Sequence, residues 1–439
     1  MENLKITLPQ GFTAGHGRAD MTPQVPITLG GWTVADSVRD PLYATCTAVS
    51  DGQTVVLLIH TDMKDMPRPF FLGATAEIEK RTGIPASHVI LKSTHTHNCP
   101  HTITMQVPEC VRWREEAWLR VADAAQAALA DLAPAEITVG KANAERFNFT
   151  RRYVMADGSY KSICSDNPCN DYAGHESEAD PELRAIRFHR EGKKDIVLAN
   201  WQMHAAHGAG VFKQAISADF IYELRLAAEE KMGVHFAYHN GASGNLVMTD
   251  KMGNRHLPNH MALGTALADV VERALANGEK VKSGKIQVAN LNVVCEVQKD
   301  GEEKRAHAKE WATAPKEEKE AILKKYNFAS QYEAIATNTR ATMAATEEVP
   351  LTVITFGDVA FTTTPFESFD VNAMQLREAS PYKMTFTCAY TNGALGYMPC
   401  REFFPHGEYE VYVSRFERGT PEQCNEEVLK VLNQMKSQN

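Results

Sequence analysis

The stretch Ile90-Leu-Lys-Ser-Thr-His-Thr-His-Asn-Cys-Pro-His101 is an apolar run that stops abruptly in a cluster of imidazoles. Val89–Leu91 reads as a buried strand, which places His95 and His97 at or just past its C-terminal end, where open α/β sheets set their ligands. Neutral imidazole is a standard zinc ligand, yet residues two apart on an extended chain point to opposite faces. The expectation is that one of the pair touches a metal and the other lies behind it or on the substrate side.

The same grammar recurs along the chain. Ile196-Val-Leu-Ala-Asn-Trp-Gln-Met-His-Ala-Ala-His207 is another short apolar strand running out into His204 and His207. Val359-Ala-Phe-Thr-Thr-Thr-Pro365 is followed at once by Glu367, and Met384–Ala389 leads through Thr391-Asn-Gly-Ala to Tyr397. Imidazole, carboxylate and phenol thus arrive from separate strand ends, an arrangement that suits a catalytic zinc site with one position left for water.

These residues resemble the neutral/alkaline (non-lysosomal) ceramidase family, in the form of a bacterial ceramidase-like branch without the carboxy-terminal domain. Gly15-His-Gly-Arg-Ala-Asp-Met-Thr-Pro23 is similar to the family's amino-terminal G-x-G-R-A-D-I-T-P signature, and Asp40-Pro-Leu-Tyr-Ala44 follows it. Thr94-His-Thr-His97 is similar to the T-H-T-H motif, and Ile216-Ser-Ala-Asp-Phe220 to the segment after the second zinc histidine. The resemblance implies a zinc ion held by His95, His204, Glu367 and Tyr397. Two departures stand out. Pro365-Phe366-Glu367 replaces the family's P-G-E, and in His239-Asn-Gly-Ala-Ser-Gly-Asn-Leu-Val247 the catalytic serine position is Val247, with Asn245 in place of an aspartate. Ser243 remains nearby, between glycines that read as a tight turn, so attack by metal-activated water is the simpler mechanism. Family members of the full type carry a further carboxy-terminal β-sandwich, for which this chain leaves no room.

Composition bounds the rest. At 44% hydrophobic and 23% charged residues, 439 residues long, the chain reads as an ordinary globular protein. A net charge of −9 with no Lys/Arg-rich run argues against a nucleic-acid partner. No apolar run is long enough to span a bilayer, so stable membrane insertion is not expected. The start Met1-Glu-Asn-Leu-Lys-Ile-Thr-Leu lacks a signal-peptide pattern; the compartment is left open between cytoplasm and, if a leader was removed, periplasm or exterior. Nine cysteines without C-x-x-C spacing read as reduced thiols, with Cys164 and Cys169 able to bridge a loop and Cys99 to line the pocket.

The fold class is α/β: a layered mixed sheet with helices on its faces and the zinc site at strand C-terminal ends, all in one catalytic domain spanning 1–439. Helical spacing covers Phe71–Thr82, Trp113–Leu132, Asn259–Ala276 and Pro421–Met435; strands cover Val55–Ile59, Val234–Tyr238, Ile286–Val297 and Leu351–Phe356. The charged, alanine-rich stretch Lys299–Glu348 reads as a helical excursion. The Gly/Pro-rich loops Pro23–Pro41 and Gly174–Asp180 are candidates to rim a pocket, and no internal sequence repeat is visible.

Chemistry beyond the metal falls to His97 and His207 as proton carriers, and to Arg151 and Arg152, whose guanidinium groups suit a polar or anionic substrate group. Asp62 and Asp219 are candidates to accept the second N–H of a ligating histidine. The reading is a zinc-dependent hydrolase cleaving an amide or ester bond of a small polar substrate, with homo-oligomerisation left open. The alternatives are action on a glycosidic bond or lactone, using Asp166, Asp171, Glu176 or Glu178, and a non-catalytic protein with a structural metal.

Overall fold

The computed structural model describes residues 4–31, 33–103, 105–162, 171–253, 257 and 259–438. Eight strands in chain order build its main sheet: β1 (Thr13–Asp20), β2 (Tyr43–Ser50), β3 (Val55–Thr61), β4 (Val89–Ser93), β5 (Ala133–Asn143), β6 (Glu182–Arg190), β7 (Ile196–Trp201) and β8 (His235–Asn240). They lie in the order β8-β7-β6-β5-β1-β2-β3-β4, and a ninth strand, β9 (Glu279–Val281), pairs with β5.

Two halves follow one programme. Strands β1, β2 and β3 run antiparallel, helix α1 (Arg68–Thr82) crosses over to β4, which is parallel to β3, and α2 (Pro108–Ala130) follows. Likewise β5, β6 and β7 are antiparallel, α3 (Phe220–Met232) precedes β8 parallel to β7, and α4 (His260–Ala276) follows. The two halves are joined in strand pairing by the register pairs Thr13↔Pro134 and Ala14↔Ala133. The repeat is architectural and leaves no mark in the sequence, since burial asks only for apolar residues of suitable volume.

Helices α1 and α2 pack on one half of the sheet through Phe70, Phe71, Ile78, Val121 and Ala125, and α3 and α4 on the other through Leu224, Leu263, Leu267 and Val271. Gly15 and Gly17 explain the amino-terminal G-x-G: a Cβ on either would stand 2.0 Å from Ala128 O or 2.1 Å from Ala124 O, so glycine there lets α2 lie directly on β1. The opposite face is covered by a second sheet, β10 (Ile286–Glu296), β11 (Thr346–Phe356), β12 (Val359–Thr363) and β13 (Met384–Cys388), with β12 parallel to β13. Val56, Leu58, Ile90, Phe188 and Leu198 meet Phe356, Phe361 and Phe386 between the sheets. Each such side chain contributes roughly 1.5–3 kcal/mol of burial. The excursion is three helices, α5 (Glu302–Thr313), α6 (Lys319–Lys325) and α7 (Gln331–Arg340). Finally α8 (Asp370–Ala379) and α9 (Thr420–Ser437) cover the outer face of the second sheet through Leu376, Val428 and Leu432.

The result is a helix/sheet/sheet/helix stack, a mixed α/β architecture. Helices α1, α2, α4 and α9 fall where their apolar spacing predicts them. Helix α3 does not follow from that spacing; its signals are local, an Asp219 cap whose carboxylate accepts from Phe220 N and a left-handed Gly233 at the end. No helix among the described residues is long and apolar enough to cross a membrane. Seven cysteines are buried and free; Cys164 and Cys169 lie outside the described residues.

Lys92, on β4, is fully buried and donates from Nζ to Asn240 O at 2.6 Å, linking the ends of the two edge strands. Burial brings its ammonium group down to about 7. An unfolded lysine titrates near 10.4, so between these values the unfolded chain binds the extra proton and stability must rise with pH. Denaturation midpoints between pH 7 and 10 are expected to climb in the wild type and to flatten in Lys92→Met. An equal slope in both would contradict a buried neutral amine.

Candidate metal centre

Three parallel strand pairs, β3/β4, β7/β8 and β12/β13, send the segments after their C-terminal ends toward one another. From the first comes His95, two residues beyond Ser93; from the second His204, three beyond Trp201; from the third Glu367, and Tyr397 beside it in a two-residue parallel bridge. His95 Nε2 stands 3.0 Å from His204 Nε2 and 3.3 Å from Glu367 Oε2, which is 3.9 Å from His204 Nε2.

His97 joins them, its Nε2 3.4 Å from His95 Nε2, so the three imidazoles form one group able to hold a metal ion. The expectation that the two histidines diverge is corrected here. It assumed extended chain, but the strand ends at Ser93 and His95 takes φ +65°, a left-handed turn that brings both rings to the same side. A non-glycine residue held there is strained, and such strain gathers at functional sites. The turn is fixed by His95 N donating to Met63 O at 2.9 Å and His97 N to Ala205 O at 3.1 Å.

The outer nitrogens settle how the rings are aimed. His95 Nδ1 is 2.7 Å from Lys64 O and His204 Nδ1 is 3.3 Å from Ser243 O. A carbonyl only accepts, so each Nδ1 carries the proton and each Nε2 presents a lone pair to the other. Asp62 and Asp219 do not take this part: Asp62 binds Arg225 at 2.8 and 3.0 Å, and Asp219 caps α3 while accepting from Gly208 N. Two lone pairs 3.0 Å apart, beside a buried Glu367 Oε2 with no hydrogen-bond partner, call for a cation among them. The donor set fits a zinc-like divalent ion.

Electrostatics agree. Burial lowers the His204 and His97 imidazoles well below the usual histidine value, and the positive charges of Arg151 for one and Lys64 for the other add to this. Both are neutral ligands or bases at pH 7. Burial pushes the Glu367 carboxyl up, while the Lys64 charge and a hydrogen bond from Tyr397 pull it down.

The remaining sequence candidates divide. Arg151 stacks over Tyr397, 5.4 Å from the ring centre, and donates from Nε to Glu410 at 2.8 Å. Arg152 lies in a buried network, bonded to Glu176, to Glu410 at 2.8 Å and to Gly407 O at 3.1 Å. With its donors on protein oxygens, Arg152 acts as a structural tie rather than a substrate clamp, and Glu176 is equally committed. His207 is not in the imidazole group; it opens a short helix, His207–Val211, after His204, so the i, i+3 relation does not hold, and its ring lies 5.6 Å from His260. Gly244 lies in the tight turn that Leu246 N closes onto Ser243 O at 3.0 Å, and it also allows close approach: a Cβ would sit 2.3 Å from Glu367 O. Asn245 exchanges hydrogen bonds with Asp370, at 2.7 and 3.1 Å.

Two residues of the centre escape the motif reading. Tyr390 stacks on His95, with ring centroids 4.2 Å apart, and shares a 2.8 Å hydrogen bond with the Ser243 hydroxyl. It arrives because segment 390–392 runs along the open edge of β4, with Ser93 N donating to Tyr390 O and Asn392 N to Leu91 O. Lys64 is the other. A cavity of about 290 Å³, lined by Tyr332, Ile335, Leu395, Tyr397 and Tyr409, opens beside Glu367, so helix α7 of the excursion forms one of its walls. A larger hollow of about 610 Å³ near Trp113 and Arg120 contains none of the metal-centre residues.

Solved structures share this architecture. Neutral ceramidase from Pseudomonas aeruginosa superposes with a TM-score of 0.73 over 96% of this chain and 74% of that one, at 16% identity. The fold is that of neutral ceramidase. A second structure, described as ceramidase complexed with C2, gives 0.71 over the same shares at 15% identity. No family model matches the chain, and no curated protein does. At such identity the ceramidase likeness speaks for the fold, and function rests on the residues above.

Proposed function

We propose that the protein is a zinc-dependent hydrolase of an amide or ester bond. The observation that supports it is the convergence of imidazole Nε2 atoms with the Glu367 carboxylate, each Nδ1 of His95 and His204 tied to a carbonyl. In this reading His95, His204 and Glu367 hold the ion, with Tyr397 beside the carboxylate. What a zinc ion supplies in such a donor set is Lewis acidity toward a carbonyl and a lower pKa for water. His97, neutral and at the edge of the group, takes a proton from the attacking water and returns it to the leaving nitrogen or oxygen. Arg151, held by Glu410, keeps Tyr397 oriented through its stacked guanidinium. The apolar walls of the 290 Å³ cavity suit a short acyl or aryl group.

A glycosidic mechanism needs a pair of free carboxylates flanking the bond. Glu176 is bonded to Arg152 and His406, and Asp166 lies outside the described residues. The hydrolase reading is tested by offering the zinc-loaded protein short-chain N-acyl amines and esters beside aryl glycosides. Turnover confined to glycosides would overturn it.

Water rather than serine is the nucleophile in this account. Ser243 is fully buried and its hydroxyl is shared with Tyr390, whose phenol burial keeps protonated and therefore a poor base for it. Ser243→Ala is expected to keep activity within a few-fold while losing about 1–3 kcal/mol of stability, because Tyr390 loses its partner. A covalent acyl adduct on Ser243, detected by mass spectrometry, would contradict this.

A further inference from the structure

Helix α7 carries two large apolar side chains that the fold leaves half uncovered, Tyr332 at 50% exposure and Ile335 at 45%. With Ala336 and Thr339 they fall at i, i+3, i+4 and i+7, so they share one face, and that face lines the cavity beside Glu367. The other face is already in use: Glu333, Ala334, Thr337 and Arg340 are buried, with Ala334 in the small core that Trp311, Ile322 and Phe328 also build. The helix is held in place, since Arg340 binds Asp300 at 2.8 and 3.1 Å and reaches Tyr412 O and Ser414 O at 2.9 and 2.8 Å. Tyr409 packs against both Tyr332 and Tyr397, with ring centroids 5.7 and 5.5 Å apart. Three aromatic rings thus lead from the exposed helix to the metal centre.

The cavity offers apolar surface, and its charges are committed elsewhere. Arg340 is tied to Asp300, Arg415 is paired with Glu347 at 2.9 and 3.1 Å, and Glu367 belongs to the centre. An uncovered apolar face in a hollow that ends at a metal ligand marks a place for an apolar ligand group. Which part of the substrate enters follows from the proposed chemistry. His97 serves the leaving group and is not one of the walls, so the acyl side of the scissile bond is the side that faces the hollow. At roughly the 30 Å³ that a water molecule takes in the liquid, about 290 Å³ holds about eight to ten carbon-sized groups.

We propose that Tyr332 and Ile335 are specificity-determining residues that receive the acyl chain of the substrate. The substrate class is then an amide or ester of an uncharged aliphatic acid of about six to eight carbons, the length that fills the hollow. This rests on the hydrolase reading: water adds across the C–N or C–O bond, its hydroxyl going to the carbonyl carbon and its proton to the leaving nitrogen or oxygen, releasing the acid and an amine or alcohol. Longer chains gain nothing more, because beyond Tyr332 the helix face is open to solvent.

The test is a series of p-nitroanilides and p-nitrophenyl esters of acetic, butanoic, hexanoic, octanoic and dodecanoic acids, offered to zinc-loaded wild type, Tyr332→Asp, Ile335→Asp and Tyr332→Phe. In wild type kcat/KM is expected to rise about four-fold for each methylene buried, to a maximum at hexanoyl or octanoyl, and then to level off. Each Asp variant should cut the octanoyl-to-acetyl ratio by at least about ten-fold, mainly through KM, while Tyr332→Phe, which keeps the ring, should preserve it. A flat series in wild type, or a ratio that survives both Asp variants, would overturn the proposal. Calorimetric titration with 2-butanone and 2-octanone, ketones that are not hydrolysed and need no metal, reads the hollow by itself. Tighter binding of 2-octanone by wild type, lost in Ile335→Asp, supports the proposal, and equal affinities overturn it. If no anilide or ester is cleaved, the hydrolase reading fails, while the titration still decides whether this helix face receives an alkyl chain.

Discussion

Purified His95→Ala and His204→Ala are each expected to lose bound zinc, from one equivalent per chain to a small fraction, and to lose hydrolytic activity by about a thousand-fold or more. The reason is geometric. His95 Nε2 is the atom against which His97, His204 and Glu367 are all placed, at 3.4, 3.0 and 3.3 Å, so its removal leaves the others without a shared centre. His204 is the sole contribution of the β7 end, and losing one neutral imidazole leaves too few donors to compete with water. Elemental analysis of folded mutant protein, with circular dichroism as control, measures the outcome. Full zinc occupancy in both mutants would place the ion elsewhere.

The second large effect concerns stability rather than chemistry. Glu410 is fully buried, and its two oxygens accept from Arg151 Nε and Arg152 Nη1, both at 2.8 Å, with a third bond from the Ser162 hydroxyl at 2.6 Å. Glu410→Gln leaves two buried guanidinium groups without that charge, and breaking a buried ion pair from one side costs about 3–5 kcal/mol. Urea denaturation is expected to show this loss at pH 7. Burial opposes ionisation of Glu410, but Arg151 and Arg152 prevail and hold its carboxyl below the usual range. Its contribution is therefore complete above the unfolded value of about 4.3 and fades as the pH falls through the lower folded value. The wild-type and mutant curves should converge in acid. A loss under 1 kcal/mol at pH 7 would show that the network is dispensable.

Much of the centre is legible in the chain because strand ends carry local signals. An apolar run broken by His95, His204 or Glu367 marks both an element and a site, and β3/β4, β7/β8 and β12/β13 deliver these side chains as that pattern suggests. What the pattern cannot carry is conformation after the strand. One left-handed residue, His95, turns a pair of diverging imidazoles into a converging one. Tyr390, also left-handed, reaches His95 only because 390–392 adds itself to the edge of β4, a pairing across about three hundred residues that no local spacing announces. The arginines show a different limit: Arg151 and Arg152 are adjacent and identical in sequence, but Arg152 is absorbed by Glu176 and Glu410 while Arg151 faces Tyr397. Lys64 was silent for the same reason, since a lone lysine gains meaning only from what surrounds it.

The central claim is that His95, His204 and Glu367 form a hydrolytic zinc centre, and one titration tests it most directly. The protein is stripped with a chelator, and hydrolysis of a short-chain N-acyl amine is followed as zinc is returned in sub-stoichiometric steps. Activity rising linearly and breaking at one equivalent per chain is the predicted result. Full activity in the stripped protein, or zinc binding at one equivalent with no hydrolysis of any amide or ester offered, would contradict it.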